Sequence, residues 1–302
     1  MSPSEMIPPR SAGNLRGAVY MLLVTASFTV GDAFIRAAAE EMPLFQVVFL
    51  RGVIASVLLG VMAWRSGAFA MVIAPRDRKL IGLRSVAEIC AMIPFFIALA
   101  NMPFANVSAL LQALPLTLTL AGALFLGEPV GWRRLAAIGV GLIGVLCIVQ
   151  PGEAGFSAYS LLVLLAVCFV TFRDLSTRRI TPEIPAVLLA FVMAILVTLA
   201  AGGLSLLTPW AAISPIGAVL LLGAGGFIAS GYTFAALAMR HGEIGFVTPF
   251  RYMALVWAVL IGFFVFGEWP DTLTWIGAGI VVATGLYTLY REQVVRRRAR
   301  AR

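Results

Sequence analysis

Charge is scarce in this sequence, and apolar residues take its place. Only 12% of the 302 residues are charged and 61% are hydrophobic, whereas ordinary soluble domains have about 25% charged and about 45–50% apolar residues. A soluble core of this chain length cannot bury so much apolar surface. The charges fall between apolar runs of roughly 20 residues, each long enough to cross a hydrocarbon layer about 30 Å thick. The sequence therefore predicts an all-α polytopic membrane protein.

Residues that carry covalent chemistry are equally rare. The only histidine, His241, lies in a predicted turn, which excludes an HExxH zinc site and histidine-based acyl transfer. Lys79 is the only lysine and no GxxxxGK motif is present, so ATP is not the direct energy source. Cys90, Cys147 and Cys168 lie in apolar runs without CxxC spacing, which supports neither a disulfide nor a zinc site. We therefore expect no enzyme active site, no cofactor and no metal. The sequence also shows no motif of a channel selectivity filter.

Ten apolar runs are long enough to span a membrane, which places both termini on the same side. The first run has no cleavage motif, so we expect it to be retained as a helix. The predicted spans are 16–37, 43–64, 81–101, 104–126, 132–150, 157–174, 184–204, 215–238, 243–266 and 272–290.

Basic residues lie almost entirely on one side of these spans. The loops on that side carry Arg10, Arg16, Arg65, Arg76, Arg78, Lys79, Arg84, Arg133, Arg134, Arg173, Arg178, Arg179, Arg240 and the tail from Arg291 to Arg302. The opposite loops carry Glu40, Glu41, Glu153, Glu268 and Asp271 and have no Lys or Arg. Since basic loops stay in the cytoplasm, both termini are predicted to be cytoplasmic. This placement also explains the net charge of +8 without nucleic acid.

The chain contains an internal repeat. Phe125-Leu126-Gly127-Glu128-Pro129, at the end of span 4, is similar to Phe266-Gly267-Glu268-Trp269-Pro270, at the end of span 9, and a glycine-rich span follows each. Because each unit has five spans, the second copy enters the membrane from the other side. The sequence thus predicts two inverted five-helix repeats, the usual architecture of secondary transporters. A duplication that only doubled a helix bundle remains the structural alternative.

With these features the sequence resembles the EamA-type branch of the drug/metabolite transporter superfamily, from span 1 to span 10. The motifs that carry the resemblance are the two Gly-Glu pairs, Pro115 in span 4 and the run from Thr248 to Tyr252 that opens span 9. The resemblance implies a cavity lined by helices 1, 3, 4, 6, 8 and 9, with helices 5 and 10 packed behind it. The corresponding division is an N-terminal tail (1–15), two EamA-type repeats (16–150 and 157–290) and a basic tail (291–302).

Charges inside the spans mark candidate functional residues, because each costs roughly 2.5–3.5 kcal/mol on insertion scales. Glu88 and Arg251 are predicted at matching depths, about 10 and about 12 Å from the cytoplasmic end, so they can pair or bind the two ends of a zwitterion. An Arg84–Glu88 pair along one helix face is the structural alternative. Towards the outer side, we expect Asp32, Arg36 and Arg51 to form a network that locks helices 1 and 2 or serves as a gate or proton-sensitive group.

Uncharged residues complete the predicted site. Gln112 can supply hydrogen bonds, and the rings of Tyr232, Phe250 and Tyr252 can stack on an aromatic or apolar solute, although such residues in membrane helices commonly just contact neighbouring helices. The helix-bending prolines are predicted to be Pro94, Pro115 and Pro249, since each removes a backbone donor.

These observations lead to three functional hypotheses. The first is export of a small amphipathic metabolite across the inner membrane by alternating access, with aromatic or bulky apolar amino acids favoured. The second is uptake of a vitamin or nucleoside-like metabolite. The third is a non-transporting membrane enzyme or scaffold. The expected partners are a small-molecule solute and membrane lipid but not nucleic acid, and a monomer is the working expectation for the oligomeric state.

Overall fold

In the residues that it describes, the structure, a computed structural model, contains ten long helices that are apolar enough to cross a membrane. It describes residues 10–71, 73–127, 130–151, 157–177, 179–181, 184–241 and 244–300. The helix bounds are α1 Arg10–Ala38, α2 Leu44–Arg65, α3 Pro75–Asn101, α4 Phe104–Leu126, α5 Trp132–Val149, α6 Ala158–Thr177, α7 Ala186–Ser205, α8 Pro215–His241, α9 Thr248–Phe266 and α10 Thr272–Arg300.

The ten predicted spans are confirmed, with differences at their ends. The third helix begins at Pro75, six residues before the predicted span, with proline in its first turn and Asp77 following it, both of which favour a helix N-terminus. The first helix begins at Arg10 and the last extends to Arg300, so parts of both predicted tails are helical. Glu128, Pro129, Glu153, Arg178 and Arg302 lie outside the described residues.

Helices α4 and α9 are interrupted in equivalent ways. In α4, Phe104–Leu111 and Leu114–Leu126 are separate helical segments. In α9, the 3-10 helix Thr248–Tyr252 precedes the α-helix Met253–Phe266, and a single α-helical turn, Ile244–Val247, comes before it. Both helices end at a glycine in the left-handed region, Gly127 and Gly267, each with φ of 65°. The interruptions therefore occur at nearly the same distance before matching C-terminal caps, with 13 residues in the last segment of α4 and 14 in that of α9.

Equivalent helices of the two halves run antiparallel. The N–H of Phe104, at the start of α4, donates to a Glu268 carboxylate oxygen at the end of α9 (2.8 Å). Gln150, at the end of α5, donates through its side chain to Asp271, just before α10 (2.9 Å). Burial by itself raises the pKa of Asp271, but hydrogen bonds from Thr274 and Gln150 lower it below the usual value. The two contacts confirm that the five-helix repeat is inverted.

Helix packing is reciprocal between the halves. Helix α1 packs on α8 as α6 packs on α3, α1 contacts α9 as α6 contacts α4, and the pairs α2–α7 and α5–α10 join equivalent helices. Gly144 and Gly277 bring α5 and α10 together, since a Cβ at Gly144 would lie 2.8 Å from the Gly277 carbonyl. The α5–α10 packing that the resemblance implied is therefore confirmed.

The two ends of the bundle differ in charge. We call the end where α2 finishes and α3 starts the basic end, and it carries Arg65, Arg76, Arg78, Lys79, Arg133 and Arg179. The opposite end, the acidic end, carries Glu40, Glu41, Glu268 and Asp271. Large apolar side chains are exposed along the helices between them, as a lipid-facing surface requires.

Candidate substrate site within the membrane

Two opposite charges lie near each other inside the bundle, towards the acidic end. Asp32 on α1 and Arg51 on α2 are about 9 and about 10 Å from that end of their helices. Arg51 is only 6% exposed, its guanidinium lies 5.0 Å from the centre of the Phe96 ring, and it interacts electrostatically with Asp32. Among the described residues the two charges form no direct ion pair within 4 Å, and the buried Arg51 Nε has no hydrogen-bond partner. The couple therefore lies inside the bundle without a direct ion pair between its two members.

A second polar layer lies nearer the basic end, where α3 meets α6. Arg173 of α6 donates to a Glu88 carboxylate oxygen (2.8 Å) and also pairs with Asp174 (2.8 Å). One turn further, Arg84 donates through Nε to the Thr177 hydroxyl (2.7 Å). These contacts join the first half of the chain to the second through buried or half-buried groups.

The predicted pairing of Glu88 with Arg251 is wrong. Glu88 is the central residue of α3, about 20 Å from its basic end, because α3 begins at Pro75 rather than near residue 81. Arg251 is exposed and lies in the 3-10 helix that opens α9, about 6 Å from its start. The local Arg84–Glu88 alternative is also not the observed ion pair, since the partner of Glu88 is Arg173.

The predicted network of Asp32, Arg36 and Arg51 is divided in the structure. Arg36 forms a two-pronged ion pair with Glu268, with one N···O distance of 3.0 Å, and its guanidinium lies 4.4 Å from the centre of the Phe266 ring. Since Glu268 also accepts the Phe104 N–H, this one carboxylate ties α1, α4 and α9 together at the acidic end. We call this contact the acidic-end clasp.

Aromatic rings surround the middle of the bundle. Tyr232 of α8 packs edge-on against Phe28 of α1, with ring centres 5.4 Å apart, and lies near Arg51. Phe96 lies under Arg51 on the α3 side. Asp32 and Arg51 are thus accompanied by rings from three helices, and Tyr232 is the one predicted ring among them.

The other predicted rings lie elsewhere. Phe250 packs against Phe246 near the basic end, with ring centres 5.9 Å apart. Tyr252 is 6% exposed and packs on Gly285 of α10, where an added Cβ would overlap its hydroxyl. The geometry therefore gives Phe250 and Tyr252 packing contacts rather than positions beside Asp32 and Arg51.

Gln112 and the prolines mark helix interruptions. Gln112 is buried and ends the first segment of α4, and Pro115 opens the second. Pro249 lies in the 3-10 helix of α9, whereas Pro94 lies within the uninterrupted helix α3. The bending role of these prolines stays a prediction.

Sequence reasoning missed Arg173, Arg84, Phe96 and Glu268 as site residues. The sequence pattern places Arg173 among the basic loops, whereas in the structure it lies within α6, four residues before the helix ends at Thr177. The sequence signal that could have indicated Arg173 as a site residue is the charged pair Arg173-Asp174 directly after an apolar run. Within the described ranges, no group of three His, Cys, Asp or Glu side chains is placed to hold a metal.

Ten spanning helices in two inverted halves, with charges held inside the bundle, define a multi-pass membrane transporter. The chain belongs to the EamA-like transporter family, whose family model matches residues 15–150 and again residues 157–290. This double match agrees with the inverted repeat seen in the helix packing.

Several characterised relatives are named transporters. The pseudopaline exporter of Pseudomonas aeruginosa is 27% identical over 286 residues, which covers 92% of this chain and 96% of the relative. The S-adenosylmethionine uptake transporter of Rickettsia conorii is 24% identical, covering 92% and 94%. The riboflavin transporter of Rhizobium johnstonii is 31% identical over 64% of each chain. One solved crystal structure superposes with a TM-score of 0.62 at 18% identity, covering 93% of this chain and 98% of its own, and shares the fold.

Proposed function

We propose that this chain is a secondary transporter that exports small zwitterionic metabolites across the bacterial inner membrane by alternating access. Amino acids with aromatic or bulky apolar side chains are the favoured substrates. The observation that carries the proposal is the couple of half-buried Asp32 and buried Arg51, which form no direct ion pair among the described residues, and the Arg51 Nε that has no hydrogen-bond partner.

This couple suits the charged ends of an amino acid. An isolated charge inside a membrane is costly, and such groups normally face a partner or a water-filled path. Asp32 can accept hydrogen bonds from an ammonium group, and the free Arg51 Nε can donate to a carboxylate. Because both groups are at the same depth, a compact zwitterion can reach both at once.

The neighbouring rings support an apolar side chain on the substrate. Phe96 holds the Arg51 guanidinium, and Phe28 and Tyr232 form an edge-on pair. An aromatic side chain can pack with such rings, with a gain of about 0.5–1.5 kcal/mol beyond its buried area. Glu88 and Arg173 then serve to hold α3 against α6 rather than to bind the substrate directly.

The transport assignment also rests on the relatives, which are named transporters and not enzymes. The orientation follows the basic end: with that end in the cytoplasm, both termini are cytoplasmic and the acidic-end clasp faces out. The repeats at 16–150 and 157–290 then provide the two opposed halves that alternating access requires.

Uptake of a vitamin or nucleoside-like metabolite is the second candidate. It is favoured by the uptake transporter for S-adenosylmethionine and the riboflavin transporters among the relatives. The direction of flux depends on the gradient to which transport is coupled and not on the fold. The same helix bundle can therefore serve export or uptake.

Flux into proteoliposomes tests the proposal. Purified protein should exchange labelled phenylalanine, and Asp32→Asn or Arg51→Gln should lower that exchange by about 10–100-fold, because each removes about 1.5–3 kcal/mol of charge-assisted hydrogen bonding. The matched controls Glu40→Gln and Arg65→Gln remove exposed charges at the two ends and should exchange normally. Flux of riboflavin or S-adenosylmethionine with none for any amino acid would favour the second candidate, and full exchange in both site variants would overturn the site.

A further inference from the structure

Three cations surround one cavity at the basic end of the bundle. Arg76 and Lys79, in the first turns of α3, and Arg179, after α6, line a space of about 530 Å³ together with Pro75 and Leu80. All three charged side chains are exposed, so the cavity opens at the level where the helices leave the membrane.

A buried carboxylate holds these like charges together. Asp77 is 4% exposed and accepts hydrogen bonds from the Thr181 N–H (3.2 Å) and from the Thr181 hydroxyl (2.7 Å). Since Thr181 is two residues after Arg179, this contact fixes the segment that carries Arg179 beside the start of α3. The first turn of α3 has no side-chain cap, and its free N–H groups add partial positive charge. The arrangement concentrates positive charge that an anion can neutralise.

An apolar cavity continues from the basic one along the membrane. It measures about 270 Å³, shares Leu80 and Arg179 with the first, and lies between α3, α4 and α6. Its lining is Leu80, Leu83, Phe125, Phe172, Leu175, Ser176 and Arg179. Leu83, Phe125 and Phe172 are exposed to the surroundings of the bundle. The groove runs from the cations into the hydrocarbon region, to about 8 Å inside the end of α6 at Phe172.

We propose that these two cavities together bind one anionic phospholipid of the leaflet at the basic end. The lipid phosphate lies among Arg76, Lys79 and Arg179, and an acyl chain occupies the groove along Leu83 and Phe172. A small soluble phosphate compound would use only the cations and leave the groove empty, so the joined cavities favour a lipid. This site is separate from the proposed substrate site and is independent of the substrate.

Lipid at this position supports the α3–α6 contact. Two residues that line the groove adjoin residues of this contact in the sequence. Leu83 comes directly before Arg84, which donates to Thr177. Phe172 comes directly before Arg173, which pairs with Glu88. An acyl chain in the groove covers the outer side of this contact. We therefore expect the bound lipid to stabilise the folded protein, because a ligand of the folded state raises its apparent stability.

The test compares lipid binding by two triple variants of the full chain. In detergent, phosphatidylglycerol should raise the unfolding temperature of the unaltered protein more than phosphatidylcholine does. In Arg76→Gln/Lys79→Gln/Arg179→Gln the apparent Kd for phosphatidylglycerol should rise on the order of 100-fold, since each cation near a headgroup contributes about 1 kcal/mol. The control, Arg16→Gln/Arg65→Gln/Arg133→Gln, removes the same charge from exposed positions elsewhere and should keep the original Kd.

Two further arms separate the headgroup from the chain. Leu83→Trp fills the apolar groove without changing charge and should weaken phosphatidylglycerol binding while leaving the unfolding temperature of the lipid-free protein unchanged. Inorganic phosphate should not reproduce the stabilisation. An equal loss of phosphatidylglycerol affinity in both triple variants would show that only the total positive charge matters. Equal stabilisation by inorganic phosphate would show that the ligand is a soluble anion. Either result overturns the proposal. Neither depends on transport, so the outcome is separable from that of the flux experiment.

Discussion

Charged residues inside this bundle have different surroundings, and the proposed division between substrate-binding and structural charges follows that difference. Arg173 is held by two carboxylates, and Arg36 by one carboxylate and one ring. Arg51 has a ring beneath it but no acceptor for its Nε, and Asp32 has no ion-pair partner among the described residues. Satisfied charges stabilise helix contacts, whereas an unsatisfied pair of opposite charges is suited to a ligand.

Because Arg173 pairs with two carboxylates, we predict that substituting Arg173 destabilises the protein more than substituting Glu88. Arg173→Gln removes the ion-pair partner of both Glu88 and Asp174, whereas Glu88→Gln leaves Arg173 still paired with Asp174. We expect Arg173→Gln to lower the free energy of unfolding by about 2–3 kcal/mol, somewhat less than for a fully buried pair because the side chains keep 22% and 21% exposure. Glu88→Gln should cost about half of that. Thermal unfolding of the purified variants checks the order, and an equal or reversed order would contradict it.

Among the helices, α5 and α10 pack closely across the two halves of the chain. The contact places the backbone of Gly144 against Gly277, as small residues do in membrane helix pairs. Gly139 and Gly279, on the same two helices, have open space where a Cβ would lie. All four glycines lie on α5 or α10, but only Gly144 and Gly277 have a neighbouring helix where a Cβ would be.

This difference gives a pair of substitutions with opposite signs. Gly144→Ala places a Cβ 2.8 Å from a carbonyl oxygen and should destabilise the protein by about 1–3 kcal/mol through overpacking. Gly139→Ala meets nothing and should stabilise it by up to about 1 kcal/mol through helix propensity. Chemical denaturation or thermal unfolding in the same detergent measures both. If Gly144→Ala were as stable as Gly139→Ala, the described α5–α10 contact would be wrong.

The whole molecule was more predictable from its sequence than the site. Ten apolar runs, the one-sided arginines and the Gly-Glu pairs at Gly127 and Gly267 suffice for the inverted bundle, because membrane spanning and repeat symmetry are properties of sequence patterns. The partner of Glu88 cannot be read from a sequence pattern, because it depends on how α6 packs beside α3. An error of six residues at the start of α3 is enough to shift the estimated depth of Glu88 by about 9 Å.

Side-chain direction accounts for the remaining errors. Phe250 and Tyr252 are predicted as rings that can stack on a solute, yet Phe250 packs on Phe246 and Tyr252, in the 3-10 helix of α9, packs on Gly285 of α10. Asp32, Arg51 and Tyr232 were correctly placed inside the bundle, because charge and a polar ring within an apolar run already indicate a buried path. The gating or proton-sensitive role of Asp32 and Arg51 and the stacking role of Tyr232 stay predictions, and substrate binding by Asp32 and Arg51 is the proposal made above.

The central claim is that Asp32 and Arg51 bind the two ends of a zwitterion, and ligand charge tests it most directly. Thermal stabilisation would be compared for phenylalanine, for phenethylamine, which lacks the carboxylate, and for 3-phenylpropionate, which lacks the ammonium group. The unaltered protein should be stabilised most by phenylalanine. In Asp32→Asn the preference should shift to 3-phenylpropionate, and in Arg51→Gln to phenethylamine, because each variant leaves one charge in the site. The same ranking of the three compounds in all three proteins would contradict the account.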